Sequence, residues 1–275
     1  MEKKPIDKFH LQRWLTAAVA LPLLGAIIGL GPFWLLLVLI LLVSAGGLLE
    51  LSRLLLAESR PWLRVVTLSV GLTLPLATYW KGGLGLTGAT ATVLFITLSA
   101  HLLLYAKKEA VSHSLGAAVF TQLYIPFLLS HVLLLFLLPF GRRWIFFVLF
   151  VVFAGDTGAY YTGYRWGRHK LWPAVSPGKT VEGAFGGLFS SLIIAVISGK
   201  LMFASAGITV VFLLVLATGL ALVGQTGDLV ESMLKRVSQV KDSSGLLPGH
   251  GGLLDRLDSL IFAFPLTYYG LIFFA

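Results

Sequence analysis

Near its C-terminal end the chain gathers residues able to do chemistry. Residues 228–258 read DLVESMLKRVSQVKDSSGLLPGHGGLLDRLD and hold Asp228, Glu231, Lys235, Arg236, Lys241, Asp242, His250, Asp255, Arg256 and Asp258. Five of the chain's 12 acidic residues lie here, and a Gly-Gly pair follows the single histidine of the segment. Carboxylates, cations and a glycine-permitted backbone in one place are what handling a phosphorylated substrate with a metal requires.

Four polar constellations can be separated. The first is Phe153-Ala-Gly-Asp-Thr-Gly-Ala-Tyr160. Its Asp156 lies inside an apolar helical pattern, where a carboxylate costs ~2.5 kcal/mol or more. Such a group needs a cation, a metal or water beside it, and Gly155 and Gly158 allow close approach. A structural ion pair with a basic residue of the next loop is the alternative. The second is Ser176-Pro-Gly-Lys-Thr-Val-Glu-Gly183. Pro177 and Gly178 suit a turn and Thr180 a helix cap, which sets Lys179 at a helix N-terminus favourable to anions. The phosphate-loop spacing G-x-x-x-x-G-K-[ST] is absent, because Pro173 stands five residues before Gly178. Lys179 is then either a phosphate ligand or an interfacial anchor.

In the third, Asp228, Glu231, Ser232 and Lys235 fall at i, i+3, i+4 and i+7, one face of a helix. That face is either functional or the solvated side of an interfacial helix. In the fourth, Lys241-Asp242 and Pro248-Gly-His-Gly-Gly252 precede Asp255-Arg-Leu-Asp258. Asp255 and Asp258 share one face at the start of a helix. They can help hold a divalent cation between themselves and a phosphate, or simply cap the helix.

The elements that must position these residues are membrane helices. The chain is 57% hydrophobic and 12% charged, about half the usual charged fraction of a soluble domain. The charges cluster between apolar runs, the pattern of an all-α polytopic integral membrane protein. About nine candidate spans follow, near 14–30, 33–49, 62–80, 87–105, 117–138, 144–163, 182–203, 208–224 and 257–274. The N-terminal run has no small-x-small cleavage signal, so it is expected to be an uncleaved first span.

With the N-terminus cytoplasmic, 21 Lys and Arg residues all fall on the inner side except Lys81, Arg142, Arg143 and Lys200. The positive-inside rule prefers this orientation, which leaves the C-terminus outside. Two domains are expected. Residues 1–143 would be a lipid-facing scaffold of helices. Residues 144–275 would be a catalytic region with cytoplasmic loops 164–181 and 225–256.

Composition excludes other classes. The chain has no cysteine, which rules out disulfides, thiolate catalysis and thiolate metal sites. The charge of +9 is dispersed among loops, which suits an anionic lipid surface rather than nucleic acid. His101 and His131 lie in apolar spans with no carboxylate at ligand spacing and read as interior hydrogen-bonded histidines. Trp62, Trp80, Trp144 and Trp172 stand near span ends, as an aromatic belt does.

Residues 232–258 are similar to the signature of the phosphatidate cytidylyltransferases, also called CDP-diacylglycerol synthases. The match runs without departure through Ser232-Met-Leu-Lys-Arg, Lys241-Asp242-Ser-Ser-Gly-Leu-Leu-Pro-Gly-His250-Gly-Gly and Leu-Leu-Asp255-Arg-Leu-Asp258. The Gly-Asp-Thr-Gly-Ala-Tyr and Ser-Pro-x-Lys-Thr-x-Glu-Gly segments resemble the same family in the same order. One departure is Gly178, where many members are expected to carry Lys. The first 140 residues agree only in hydropathy.

The resemblance implies the reaction of CTP with phosphatidic acid to give CDP-diacylglycerol and pyrophosphate. It implies magnesium as cofactor, as one ion, two ions or one ion beside a monovalent cation, and a site on the cytoplasmic side of the membrane; the short N-terminus and compact loops point to a bacterial inner membrane rather than an organelle. In such a reaction the nucleophile is the phosphate of phosphatidic acid, and the protein mainly positions groups and neutralises charge. Asp228 and Asp255 are the leading expected metal ligands, with Asp258 and Asp156 behind them. Lys235, Arg236, Lys241 and Arg256 are expected on the triphosphate or the lipid headgroup. Asp242 belongs with this catalytic set, as does His250, which would donate to pyrophosphate or order its loop. Ser176, Lys179, Thr180, Glu182, Gly251 and Gly252 are the expected substrate-binding positions. A homodimer is also an expectation. The competing readings are a CTP-dependent enzyme of another lipid (polyprenol or ether lipid), an ion-coupled transporter built on Asp156, and a non-catalytic scaffold.

Overall fold

A backbone crossing a bilayer must satisfy its own N–H and C=O groups, so apolar runs of this length fold as helices. The structure, a computed structural model, describes residues 8–57, 59–105, 111–240, 243–244 and 251–274. In chain order come α1 (Lys8–Gly29), α2 (Phe33–Leu55), α3 (Pro61–Gly71), α4 (Thr73–Tyr105), α5 (Val111–Gln122), a π-helical turn over Leu123–Phe127 and α6 (Leu128–Phe136). There follow α7 (Gly141–Trp166), strands β1 (Lys170–Trp172) and β2 (Ser176–Thr180), α8 (Val181–Phe203), α9 (Val210–Val237), α10 (Leu254–Ile261) and α11 (Ala263–Phe274).

Among the described residues, 7 helical stretches are long and apolar enough to cross a membrane, and Ala18–Gly29 adds a shorter apolar run. They fall in the segments expected from the sequence. The third and fourth of those are fused into Pro61–Tyr105, 45 residues long. At 1.5 Å per residue that is roughly twice the ~30 Å hydrocarbon core. It is interrupted at Gly82, whose φ of 59° and ψ of −138° no helix contains.

Two boundaries differ from expectation. Residues 225–237 are not loop: α9 continues unbroken to Val237. Hydropathy falls there, but Leu229, Val230, Met233 and Leu234 keep a helical spacing, and no proline interrupts it. A helix of 28 residues is roughly 42 Å long and so overshoots the hydrocarbon core. The 164–181 segment is not loop throughout either. The last turn of α7 is followed by an antiparallel hairpin pairing Lys170 with Thr180 and Trp172 with Ser176. Its strands are joined around Pro173. The last apolar segment starts at Leu254 and breaks at Phe262, because Pro265 cannot donate to the carbonyl four residues back.

The core lies between α2, the π turn, α6, α7, α9, α10 and α11, with Phe147, Val148, Val151, Leu220 and Ile261 fully buried. Trp144 belongs to it rather than to an aromatic belt. It is 2% exposed and stacks on Phe203 at 4.1 Å. Trp80 and Trp172 are exposed as expected. His101 and His131 are buried, each with Nδ1 against a backbone carbonyl one turn back, of Thr97 and Phe127.

Small residues draw α7 and α8 together. Gly155, Ala159 and Gly163 on α7 face Gly183, Gly187 and Ser191 on α8. A methyl group added at Gly187 would lie 2.9 Å from the Gly155 carbonyl oxygen and 3.0 Å from Ala159 Cβ. Close backbones of this kind supply the packing that the hydrophobic effect cannot supply within lipid. Ser191 adds a hydrogen bond to the Val151 carbonyl at 3.0 Å. At Gly158 an added methyl would overlap the Ser190 side chain. Gly158→Val is therefore expected to destabilise the protein by about 1–3 kcal/mol, read as a lower thermal unfolding midpoint in detergent. Gly25→Ala, where nothing lies within 4 Å of the added methyl, should leave that midpoint unchanged or slightly higher.

Candidate active site

One cavity of about 540 Å³ collects residues from all four sequence constellations. Asp156 comes from α7, Ser176, Lys179 and Thr180 from β2, and Gly183 from the first turn of α8. Gln225 and Asp228 come from α9, and Asp255, Asp258 and Ser259 from α10. Tyr160, Tyr164 and Leu171 complete one side. The volume falls within the ~300–1,000 Å³ range of small-molecule sites.

The hairpin carries Lys179 over α9, where its Nζ lies 2.7 Å from Asp228 Oδ2. The hairpin is held there by residues of both neighbouring helices. Glu182, in the first turn of α8, accepts from the Arg168 and His169 amides at 3.0 and 3.2 Å and lies 2.6 Å from His169 Nδ1. Arg236, on α9, donates from Nε to the Val175 carbonyl at 3.3 Å. Thr180 caps α8, its hydroxyl accepting from the Gly183 amide at 3.1 Å. Glu182 and Arg236 thus brace the hairpin and do not line the cavity.

Behind the cavity, Lys235 lies between two acids. Its Nζ is 2.6 Å from Glu231 Oε2 and 2.6 Å from Asp255 Oδ1. The three side chains are 16%, 3% and 12% exposed. The Glu231 contact is an ion pair by distance rather than an aligned hydrogen bond. The second oxygen of Asp255 accepts from the Gly252 amide at 2.8 Å and from Ser243 Oγ at 3.0 Å. That uses the Gly252 N–H within the protein, while Gly251 supplies the turn with a φ of +80°. Asp156 accepts from Ser259 Oγ at 3.4 Å.

Among the described residues that line the cavity, Asp156, Asp228, Asp255 and Asp258 stand against Lys179 as the cation. Acids thus outnumber bases four to one along the lining. No group of three or more His, Asp or Glu side chains among the described residues converges closely enough to hold a metal ion unaided. Arg256 is exposed on α10, outside the lining. Lys241, Asp242 and His250 lie outside the described residues.

Sequence reading missed several participants. Ser243, Gln225 and Ser259 carry no charge to mark them. Gln225 bridges α9 to α8 through the Ala184 carbonyl at 3.1 Å. Tyr160 and Tyr164 were not assigned a role. Glu50, on α2, accepts from the amides of Leu253 and Leu254 at 2.8 and 2.9 Å. It is an acid inside an apolar helix, so the argument that singled out Asp156 applies to it equally.

Comparison with known proteins bears on this geometry. A family model described as the cytidylyltransferase family matches residues 11–274. The chain is 46% identical over 136 residues to a phosphatidate cytidylyltransferase of Bacillus subtilis (strain 168), covering 50% of each chain. It is 50% identical over 126 residues to proteins of that name from Staphylococcus saprophyticus and Staphylococcus aureus (strain COL), covering 46% of this chain and 48% of each relative. The chain thus spans about half the length of the curated relatives it matches.

The Glu231–Lys235–Asp255 arrangement has a direct energetic consequence. Lys235→Met leaves two buried carboxylates facing each other, which is expected to cost about 3–5 kcal/mol. Thermal unfolding should show the loss, and adding Glu231→Leu should recover part of it. An unchanged midpoint for Lys235→Met would contradict the pairing.

Proposed function

The chain belongs to the cytidylyltransferase family, and from that premise we propose that it transfers the cytidylyl group of CTP to phosphatidic acid, giving CDP-diacylglycerol and pyrophosphate. The observation that carries the proposal is one cavity shared by α7, the hairpin, α9 and α10. It joins four acids and Lys179 in a space of small-molecule size. The curated relatives share the substrate in their name. They favour phosphatidic acid over a polyprenol, and an enzyme over a transporter.

A phosphate oxygen of phosphatidic acid attacks the α-phosphorus of CTP. The bond from that phosphorus to the oxygen bridging it to the β-phosphate breaks, and pyrophosphate leaves with the electron pair. No protein nucleophile is required, so the chain's task is to bind, orient and neutralise. A wall of carboxylates repels a triphosphate by itself, and the same oxygens suit a hard divalent cation. Magnesium is held by one or two carboxylates together with substrate phosphates rather than by an all-protein cage. The donor set therefore fits magnesium. Asp228 and Asp255 would hold it, with Asp258 and Asp156 on the same wall. When bound, it would neutralise phosphate charge on both sides of the displacement.

Lys179 and Lys235, each already beside one of these acids, are the nearest cations for phosphate oxygens. Arg236 and Glu182 act at one remove, by fixing the hairpin that carries Lys179. Ser176 and the Thr180 backbone offer polar contacts along the same strand. Tyr160, Tyr164 and Leu171 give the cavity an apolar side suited to the lipid. The site faces the cytoplasm of a bacterial inner membrane in this reading. The bias of Lys and Arg toward one side and the bacterial relatives support that placement.

The test is pyrophosphate release by the purified protein in detergent. Turnover is expected to require CTP, phosphatidic acid and magnesium together, with ATP and polyprenol phosphate inactive in their places. Asp228→Asn and Asp255→Asn should each lower turnover by about 100-fold or more in protein that remains folded. Either variant retaining near-normal turnover would remove that residue from the metal site.

A further inference from the structure

Both ends of the 243–254 segment converge on one side chain that belongs to the other half of the chain. Glu50 is 1% exposed on α2. Its Oε2 accepts from the Leu254 amide at 2.9 Å and from Ser243 Oγ at 3.2 Å. Its Oε1 accepts from the Leu253 amide at 2.8 Å and from the hydroxyl of Ser244. A carboxylate offers about four acceptor positions, and four donor groups reach this one, the Ser243 hydroxyl being shared with Asp255. All of them are neutral, which sets Glu50 apart from Asp228 and Asp255 with their lysines. We propose that Glu50 is a positioning residue for the reaction: it staples the two ends of the 243–254 segment and thereby fixes where α10 presents Asp255 and Asp258.

The surroundings are shaped for that contact. Gly47, one turn before Glu50, leaves room for Ile125 of the π turn, with Leu254 of α10 in contact beside it. A methyl group there would lie 2.9 Å from Ile125 and 3.6 Å from Leu254. At Gly252 an added methyl would overlap Ser243 Oγ and lie 2.9 Å from Glu50 Oε2. Ser243 Oγ lies 3.2 Å from Glu50 Oε2 and 3.0 Å from Asp255 Oδ2, so its one O–H is shared between the staple and the site. The end of α9 is tied to the same helix, Ser238 Oγ donating to the Leu54 carbonyl at 3.4 Å. The acid also lies at the N-terminus of α10, where two otherwise unpaired amides and the helix dipole favour a carboxylate. In sequence the segment follows Lys241 and Asp242, contains His250 and leads into Asp255.

Glu50→Gln keeps the shape but turns an NH2 group toward two of the four donors. The kinetic arm of its test rests on the cytidylyltransferase reading, and the exchange arm does not. In Glu50→Gln, amide hydrogen exchange over 251–256 is expected to accelerate about tenfold while α7 and α8 keep their wild-type rates. kcat/KM for pyrophosphate release should fall by a similar factor. Ser244→Ala, which removes one donor and leaves the carboxylate in place, should move both readouts the same way by less. It carries the test if Glu50→Gln does not fold. Wild-type exchange over 251–256, acceleration spread over all helices, or a loosened segment with unchanged kcat/KM would each overturn the proposal. If the wild-type protein itself releases no pyrophosphate, the functional reading fails, and the exchange result still decides whether Glu50 holds the segment.

Discussion

A carboxylate at the end of a membrane helix is tolerated only where something compensates it. This chain finds that compensation across helices far apart in sequence. Asp228 on α9 meets Lys179 on the hairpin, and Asp255 on α10 meets Lys235 on α9. Glu50 on α2 meets the first amides of α10. Each pairing is also a distance restraint between elements. Together they hold the hairpin, α9, α10 and α2 around one cavity, so the electrostatic requirement and the shape of the site are the same fact.

Packing makes these meetings reachable. The small-residue faces of α7 and α8 bring those backbones close enough that Asp156 and Gly183 border one space. The length of α9 does the rest. Because it continues past the apolar run as a rigid helix, Asp228, Glu231, Ser232 and Lys235 stay on one face at the geometry the spacing dictates. A loop at 225–237 would have let each side chain find its own partner. A helix forces Asp228 toward the hairpin and Lys235 toward α10 at once.

Much of the site was legible beforehand. Asp156, Lys179, Asp228, Asp255 and Asp258 drew attention because charge is rare in this chain and each stands beside glycine or at a helix start, and all five line the cavity. Glu182 and Arg236 drew attention for the same reason, yet they brace the hairpin from outside it. Charge marks a residue as compensated somewhere and does not say by what. Ser243 and Gln225 went unnoticed because a neutral hydrogen-bonding residue costs too little to stand out. Trp144 was misplaced because a tryptophan near a span end suits the interface and the core equally until a stacking partner such as Phe203 is known.

By itself the sequence determined that the protein is an all-α membrane protein, where its apolar helices run, and that the acids now lining the cavity lie in the second half. Those follow from hydropathy, helical period and the cost of charge in lipid, all local quantities. Only the tertiary structure decided that 225–237 is helix and 170–180 a hairpin, that Lys235 lies between Glu231 and Asp255, and that Glu50 reaches the last polar segment from α2. Periodicity reveals which residues share a face. Which faces meet depends on contacts between residues far apart in the chain, 204 positions for Glu50 and Leu254, and no local pattern encodes them.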